Sequence, residues 1–155
     1  MTKVRTTLLT RKLTWVMTAG IFLTSLSLSA QNQADRILGV YLTAQKDGKI
    51  EIYKQGNRYF GKLIWGKDTH HPDGSPKLDT KNEDPKLRKQ PILGMVLMRD
   101  LEYEDQQWVN GRVYDPNNGK TYRCKLSFEG EKLQIRGYLG ISMFGRTEVW
   151  ERVKH

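Results

Sequence analysis

The stretch Tyr122-Arg123-Cys124-Lys125-Leu126-Ser127-Phe128-Glu129-Gly130-Glu131-Lys132-Leu133-Gln134-Ile135-Arg136 decides the fold. In an extended chain successive side chains point to opposite faces. Tyr122, Cys124, Leu126 and Phe128 therefore share one face, and Arg123, Lys125 and Ser127 take the other. Glu129-Gly130 marks a tight turn, because glycine tolerates the positive φ a hairpin needs. Leu133 and Ile135 then resume the apolar face between Lys132, Gln134 and Arg136. This is a β-hairpin with one buried face. Cys124 lies on that face with no base or helix start beside it, so it reads as a small buried hydrophobe rather than a reactive thiol.

The same signals recur on both sides. Strands are expected over residues 36–43, 49–54, 58–65, 95–99, 108–115, 122–129, 133–139 and 147–153, with turns at Asp47-Gly48, Gly56-Asn57 and Asn118-Gly119. Eight short strands in a meander predict an all-β chain, an up-and-down barrel or a sandwich. A long polar stretch after the third strand, residues 66–93, interrupts the pattern, and a connection of that length is functional or mobile. Within it, Asp84-Pro85 opens a single expected helical turn, with Asp84 as its cap.

Length and composition agree. The chain has 155 residues, enough for one domain, with 37% hydrophobic and 28% charged residues and a mean hydropathy of −0.65. Its one cysteine forbids an internal disulfide. Lys3, Arg5, Arg11 and Lys12 precede an apolar run over residues 13–28 that ends in Ser27-Leu28-Ser29-Ala30, the three-part pattern of a secretory signal peptide. The expected organisation is a cleaved leader over residues 1–30 and a barrel domain over 31–155, exported to the periplasm or secreted. No cysteine ends the apolar run, which excludes a lipid anchor. Of 26 basic residues four lie in the leader with no acid, so the remainder carries 22 against 17, or +5. The basic residues do not cluster along the chain, which argues against nucleic acid and leaves a solvated surface or attraction to anionic envelope polymers and headgroups.

Three segments resemble a known family. They are Asp79-Thr80-Lys81-Asn82-Glu83-Asp84-Pro85, with Leu87, Arg88 and Ile92-Leu93-Gly94 behind it; Val113-Tyr114-Asp115-Pro116-Asn117-Asn118-Gly119-Lys120-Thr121-Tyr122; and Arg136-Gly137-Tyr138-Leu139-Gly140 continuing to Gly145-Arg146-Thr147, Trp150 and Arg152. In this order, behind a leader, they resemble the bacterial exported family catalogued as domain-of-unknown-function 2147. The family is similar to lipocalins in being a small β-barrel. The resemblance implies a single eight-stranded, up-and-down, lipocalin-like barrel and brings no established activity. At Gly39-Val40-Tyr41 the pattern leads one to expect Trp in the last place, and Tyr41 keeps the aromatic.

Several candidate sites follow. Arg146, Glu148, Trp150 and Arg152 share one face of the last strand. Arg146, Glu148 and Trp150, with Tyr114 and Tyr138, are expected to line a polar ligand pocket inside the barrel. Tyr41 and Arg152 are expected to close one barrel end through a cation–π contact. His70, His71 and Asp73 invite a metal reading, but adjacent loop histidines rarely reach one ion, so neither metal nor cofactor is expected. Asp79, Asn82 and Asp84 read as turn-capping loop chemistry. Residues 137–145 place an apolar segment between glycines, a lid or plug on the barrel. The leading expectation is a monomeric, non-enzymatic barrel that binds a small or amphiphilic molecule. The alternatives are an envelope interaction protein using residues 66–93 or 141–144, and a hydrolase using Asp79 and Asp84.

Overall fold

The computed structural model describes residues 32–140 and 145–154. The chain divides into two compact units, Met1–Arg36 and Ile37–His155. The described part of the first includes one helical turn over residues 32–35. The expected leader and the apolar centre of the 137–145 segment lie outside the described residues.

The second unit is a closed antiparallel barrel. Its strands are β1 (Gly39–Leu42), β2 (Gly48–Gln55), β3 (Arg58–Gly66), β4 (Val96–Glu104), β5 (Gln107–Asp115), β6 (Lys120–Glu129), β7 (Lys132–Tyr138) and β8 (Arg146–Arg152). Each pairs with the next, and β8 returns to β1. One end carries three two-residue hairpins, between β2 and β3, β4 and β5, and β6 and β7. The other end, the mouth, carries the β1–β2 turn, the long excursion after β3, the β5–β6 turn and the β7–β8 connection.

Residues directly opposite in an antiparallel pair share a face. Leu126 faces Ile135, and Leu133 faces Trp150. All four are buried, together with Ile50, Ile52, Leu63, Met98, Leu101 and Cys124. At the hairpin end Trp108 gathers the rings of Tyr59, Tyr103 and Phe128, with centroids 6.4, 5.0 and 5.6 Å away. Gly61 and Gly111 also face inward, and their missing side chains are what admits their neighbours. A Cβ on Gly61 would stand 3.1 Å from both Ile50 and Met98, and one on Gly111 would overlap Leu101. This half of the interior is solidly packed.

Two strands differ from expectation by three residues or more at one end. β1 begins at Gly39 instead of residue 36. β4 reaches Glu104 instead of ending at 99, because a bulge hides it: Asp100 sits at φ 63°, and the inward positions Met98 and Leu101 are three apart. Its turn, Asp105-Gln106, holds φ values of 46° and 63° without any glycine, a type I′ geometry with none of the usual sequence signal.

The excursion after β3 is folded, not loose. Lys77 N–H donates to the Thr69 carbonyl, and His70 bridges Pro76, which makes one small hairpin. Asp79 N–H donates to the Gln90 carbonyl, and Leu78 bridges Pro91, which makes a second. Gly94 N–H then returns to the Leu63 carbonyl. The expected helical turn at Asp84 is a plain turn, with Lys86 N–H donating to Asp84 Oδ1 at 2.9 Å.

Burial pushes the Cys124 thiol up to about 12. Burial, and then the hydrogen bond to the Asp79 carboxylate, push the Tyr114 phenol up as well. An unfolded thiol loses its proton near pH 8.5, so above that pH the unfolded chain binds fewer protons than the folded one and stability falls as pH rises towards 12. The urea midpoint should hold steady between pH 7 and 8 and drop between pH 9 and 10.5. Cys124→Ala should flatten that drop. A midpoint in the parent protein that ignores pH up to 10.5 would refute the linkage.

Candidate functional site

Gly39, Tyr41 and Arg152 meet where the barrel closes on itself. Tyr41 pairs directly with Arg152 across the β1–β8 seam, so both point inward. The guanidinium donates to the Leu38 carbonyl and to the Tyr41 hydroxyl, each at 2.5 Å, and its carbon lies 4.9 Å from the Tyr41 ring centroid. The Tyr41 hydroxyl in turn donates to the Ile37 carbonyl at 3.0 Å. A Cβ on Gly39 would strike the guanidinium, so only glycine leaves room for it. A cation over an aromatic ring contributes about 0.5–2 kcal/mol, more when desolvated. The structure thus brings Tyr41 and Arg152 together at the hairpin end.

Towards the mouth the inner face of β8 turns polar. Glu148 is opposite the buried Ile135, and Arg146 is opposite Gly137, itself opposite the buried Cys124. Trp150 Nε1 donates to Glu148 Oε2 at 3.3 Å, and Arg146 reaches Glu148 Oε1 at 3.7 Å. The Glu148 side chain is 30% exposed and that of Arg146 is 78% exposed, so the pair grades from interior to solvent. Across from them, Gly137 differs from the other inward glycines: among the described residues a Cβ there would meet only Val113, at 4.0 Å. The described residues thus leave room for a side chain at Gly137, beside the polar face of β8. The sequence pattern contains no signal for this, because Gly61, Gly111 and Gly137 look alike until their neighbours are placed.

Tyr114 and Tyr138 do not join this group. Tyr114 follows the inward Val113 and pairs with Thr121, and Tyr138 pairs with Arg123, so both stand on the outer face. The β5 bulge between Trp108 and Gly111 shifts the alternation by one and carries Tyr114 outward. Its hydroxyl donates to Asp79 Oδ1 at 2.7 Å, while Asn82 Nδ2 donates to Asp79 Oδ2 at 2.6 Å. Asp79 is fully buried under the excursion. It is closed to any substrate, and Asp84, exposed, caps Lys86, so the two acids present no joint face for acid–base chemistry. Among the described residues no three His, Cys, Asp or Glu side chains gather as metal ligands. His70 instead shares a hydrogen bond with Thr69 Oγ1.

Removing one donor from a buried carboxylate costs more than a neutral hydrogen bond, about 1.5–3 kcal/mol. Tyr114→Phe should lower unfolding stability by that amount and open the excursion to limited proteolysis between residues 77 and 92. An unchanged denaturation midpoint and digestion pattern would show that the Tyr114–Asp79 contact holds nothing in place.

No curated protein matches the chain. Among solved structures it is similar to protein HP1028 of Helicobacter pylori, described as belonging to the lipocalin family. The TM-score is 0.65 at 25% identity, over 76% of this chain and 83% of that one. A closed eight-stranded meander sealed at one end is the architecture such a likeness requires. The model of a family of uncharacterised proteins conserved in bacteria, domain-of-unknown-function 2147, matches residues 39–152, which run from the glycine that makes room for the closing arginine to that arginine itself, and the chain belongs to this family.

Proposed function

We propose that the protein binds a small amphiphilic molecule inside the barrel, within the cell envelope. The molecule's apolar part enters past Gly137 towards Cys124 and Val113, and its polar end stays with Arg146 and Glu148. The observation that carries this reading is the room that the described residues leave at Gly137 beside a polar inner face, in a barrel whose other half is filled. A lipocalin-like barrel of eight strands suits one small ligand. The envelope part of the proposal is supported by the leader pattern of residues 1–30.

Glycine substitutions separate the two halves. Gly111→Ala overpacks Leu101 and should cost about 1–3 kcal/mol. Gly137→Ala fits and should be neutral or slightly stabilising, within about 1 kcal/mol. Gly137→Trp should fold and fill the opening. Native mass measurement of the protein purified from its own host's envelope should find extra mass that is lost on denaturation, and Gly137→Trp should carry none. The amphiphilic anionic dye 1-anilinonaphthalene-8-sulfonate should bind the parent protein and not Gly137→Trp. A bare parent mass together with dye binding indifferent to Gly137→Trp would overturn the proposal.

A further inference from the structure

Along the chain the basic residues look scattered, but the strand register gathers five of them on one outer face. Arg99 is directly opposite Arg112, and Arg112 is directly opposite Arg123, which makes a row of three arginines across β4, β5 and β6. In the next row, Lys125 is directly opposite Arg136. Paired Cα atoms lie about 4.5–5.5 Å apart, and like charges placed directly opposite destabilise a sheet. The neighbouring acids on this face, Asp100 and Glu102, are engaged. Asp100 takes Arg112 at 2.8 Å and Arg58 at 3.8 Å, and Glu102 takes Arg58 at 2.7 Å. Among the described residues, Arg99, Arg123 and Lys125 have no acidic partner within salt-bridge distance. Arg99 and Arg123 are exposed.

We infer that this face docks on an anionic phospholipid surface. The charge of the row demands an anionic partner, and arginine suits phosphate because its planar fork can bond two oxygens at once. The row's mouthward end identifies a bilayer as that partner. Tyr138 pairs with Arg123, and Leu139 follows it at 63% exposure. An amphipathic ring and a bare aliphatic side chain beside arginines match the boundary between headgroups and acyl chains. A soluble anionic glycan would use the cations and leave Leu139 in water. The docking does not depend on what occupies the interior.

Co-sedimentation of the purified protein with vesicles tests this. Binding should be strong to mixed phosphatidylglycerol–phosphatidylcholine vesicles at low salt, weak at high salt, and absent on phosphatidylcholine alone. Each cation near such a surface contributes about 1 kcal/mol, or about five-fold. The double substitution Arg99→Ser with Arg123→Thr should therefore weaken binding about thirty-fold, while its melting temperature stays level or rises as like-charge pairs are removed. Lys46→Asn with Lys154→Ser removes two charges elsewhere and should weaken binding less than about three-fold. Equal binding to neutral vesicles would overturn the inference. Equal losses from both double variants would assign the effect to net charge instead of this face. Retention by heparin without vesicle binding would give the face to a glycan and overturn the lipid assignment.

Discussion

The barrel hangs on its shortest seam. β1 has four residues and pairs with β8 through Tyr41–Arg152 and Leu42–Glu151 alone, where the other pairs run longer. Without that seam the sheet would have two free edges, each a row of unpaired backbone groups. Two ladder positions are little to hold a sheet closed, and Arg152 adds what the ladder lacks. It spans from the Leu38 carbonyl, before β1, to the Tyr41 hydroxyl and ring within it. Arg152 is exposed, and carbonyl, hydroxyl and ring share the charge of its guanidinium at the barrel end. The Val153 N–H bond to the Val40 carbonyl extends the same stitch by one residue.

Closure at one end sets the character of the rest. From the hairpin end inward, the interior is aromatic, then aliphatic, then polar, following the strand faces from Trp108 through Leu126 and Ile135 to Glu148 and Arg146. In the first two zones the inward positions are mostly large and apolar, and Gly61 and Gly111 are already filled by their neighbours. Past Cys124, Gly137 has room among the described residues. A packed floor and a polar rim orient an amphiphile without further devices, since its apolar end can only point towards the floor. The folded excursion borders the same mouth. Asp79 anchors it from outside the barrel, so the carboxylate that most resembles a catalytic acid in sequence is a buried acceptor that fixes a connection.

The strand count and the meander order were legible because most hairpins repeat a local signal, alternation and then a residue able to take positive φ; that signal left barrel and sandwich open, and the family resemblance pointed to the barrel. Legibility failed where local rules were suspended. At Asp100 and between Trp108 and Gly111 a bulge inserts one residue and inverts the parity beyond it, so Tyr114, read as inward, is outward. Asp105-Gln106 makes a tight turn with neither glycine nor asparagine. The inner placement of Arg146, Glu148 and Trp150 needs only period two along one uninterrupted strand, and that much could be read from the last strand by itself. The room at Gly137 could not, because it depends on which side chains other strands place beside it.

The arginine row was illegible for a related reason. Arg99, Arg112 and Arg123 are 13 and then 11 positions apart in the chain, and only the turn lengths and both bulges together bring them into one line. Alternation requires that these positions be polar; it does not require that they carry one sign. Elsewhere on the outer wall opposite charges meet, as Lys132 does with Glu151. The departure is therefore local, and it borders the opening: Gly137 faces the interior, Tyr138 flanks the arginines on the outer face, and Leu139 stands bare at the rim. Three consecutive residues thus join the inner space, the basic wall and the exposed edge. A molecule leaving the barrel past Gly137 would emerge beside the face whose charge holds the protein to anionic headgroups, the geometry that loading or unloading an amphiphile at a bilayer requires.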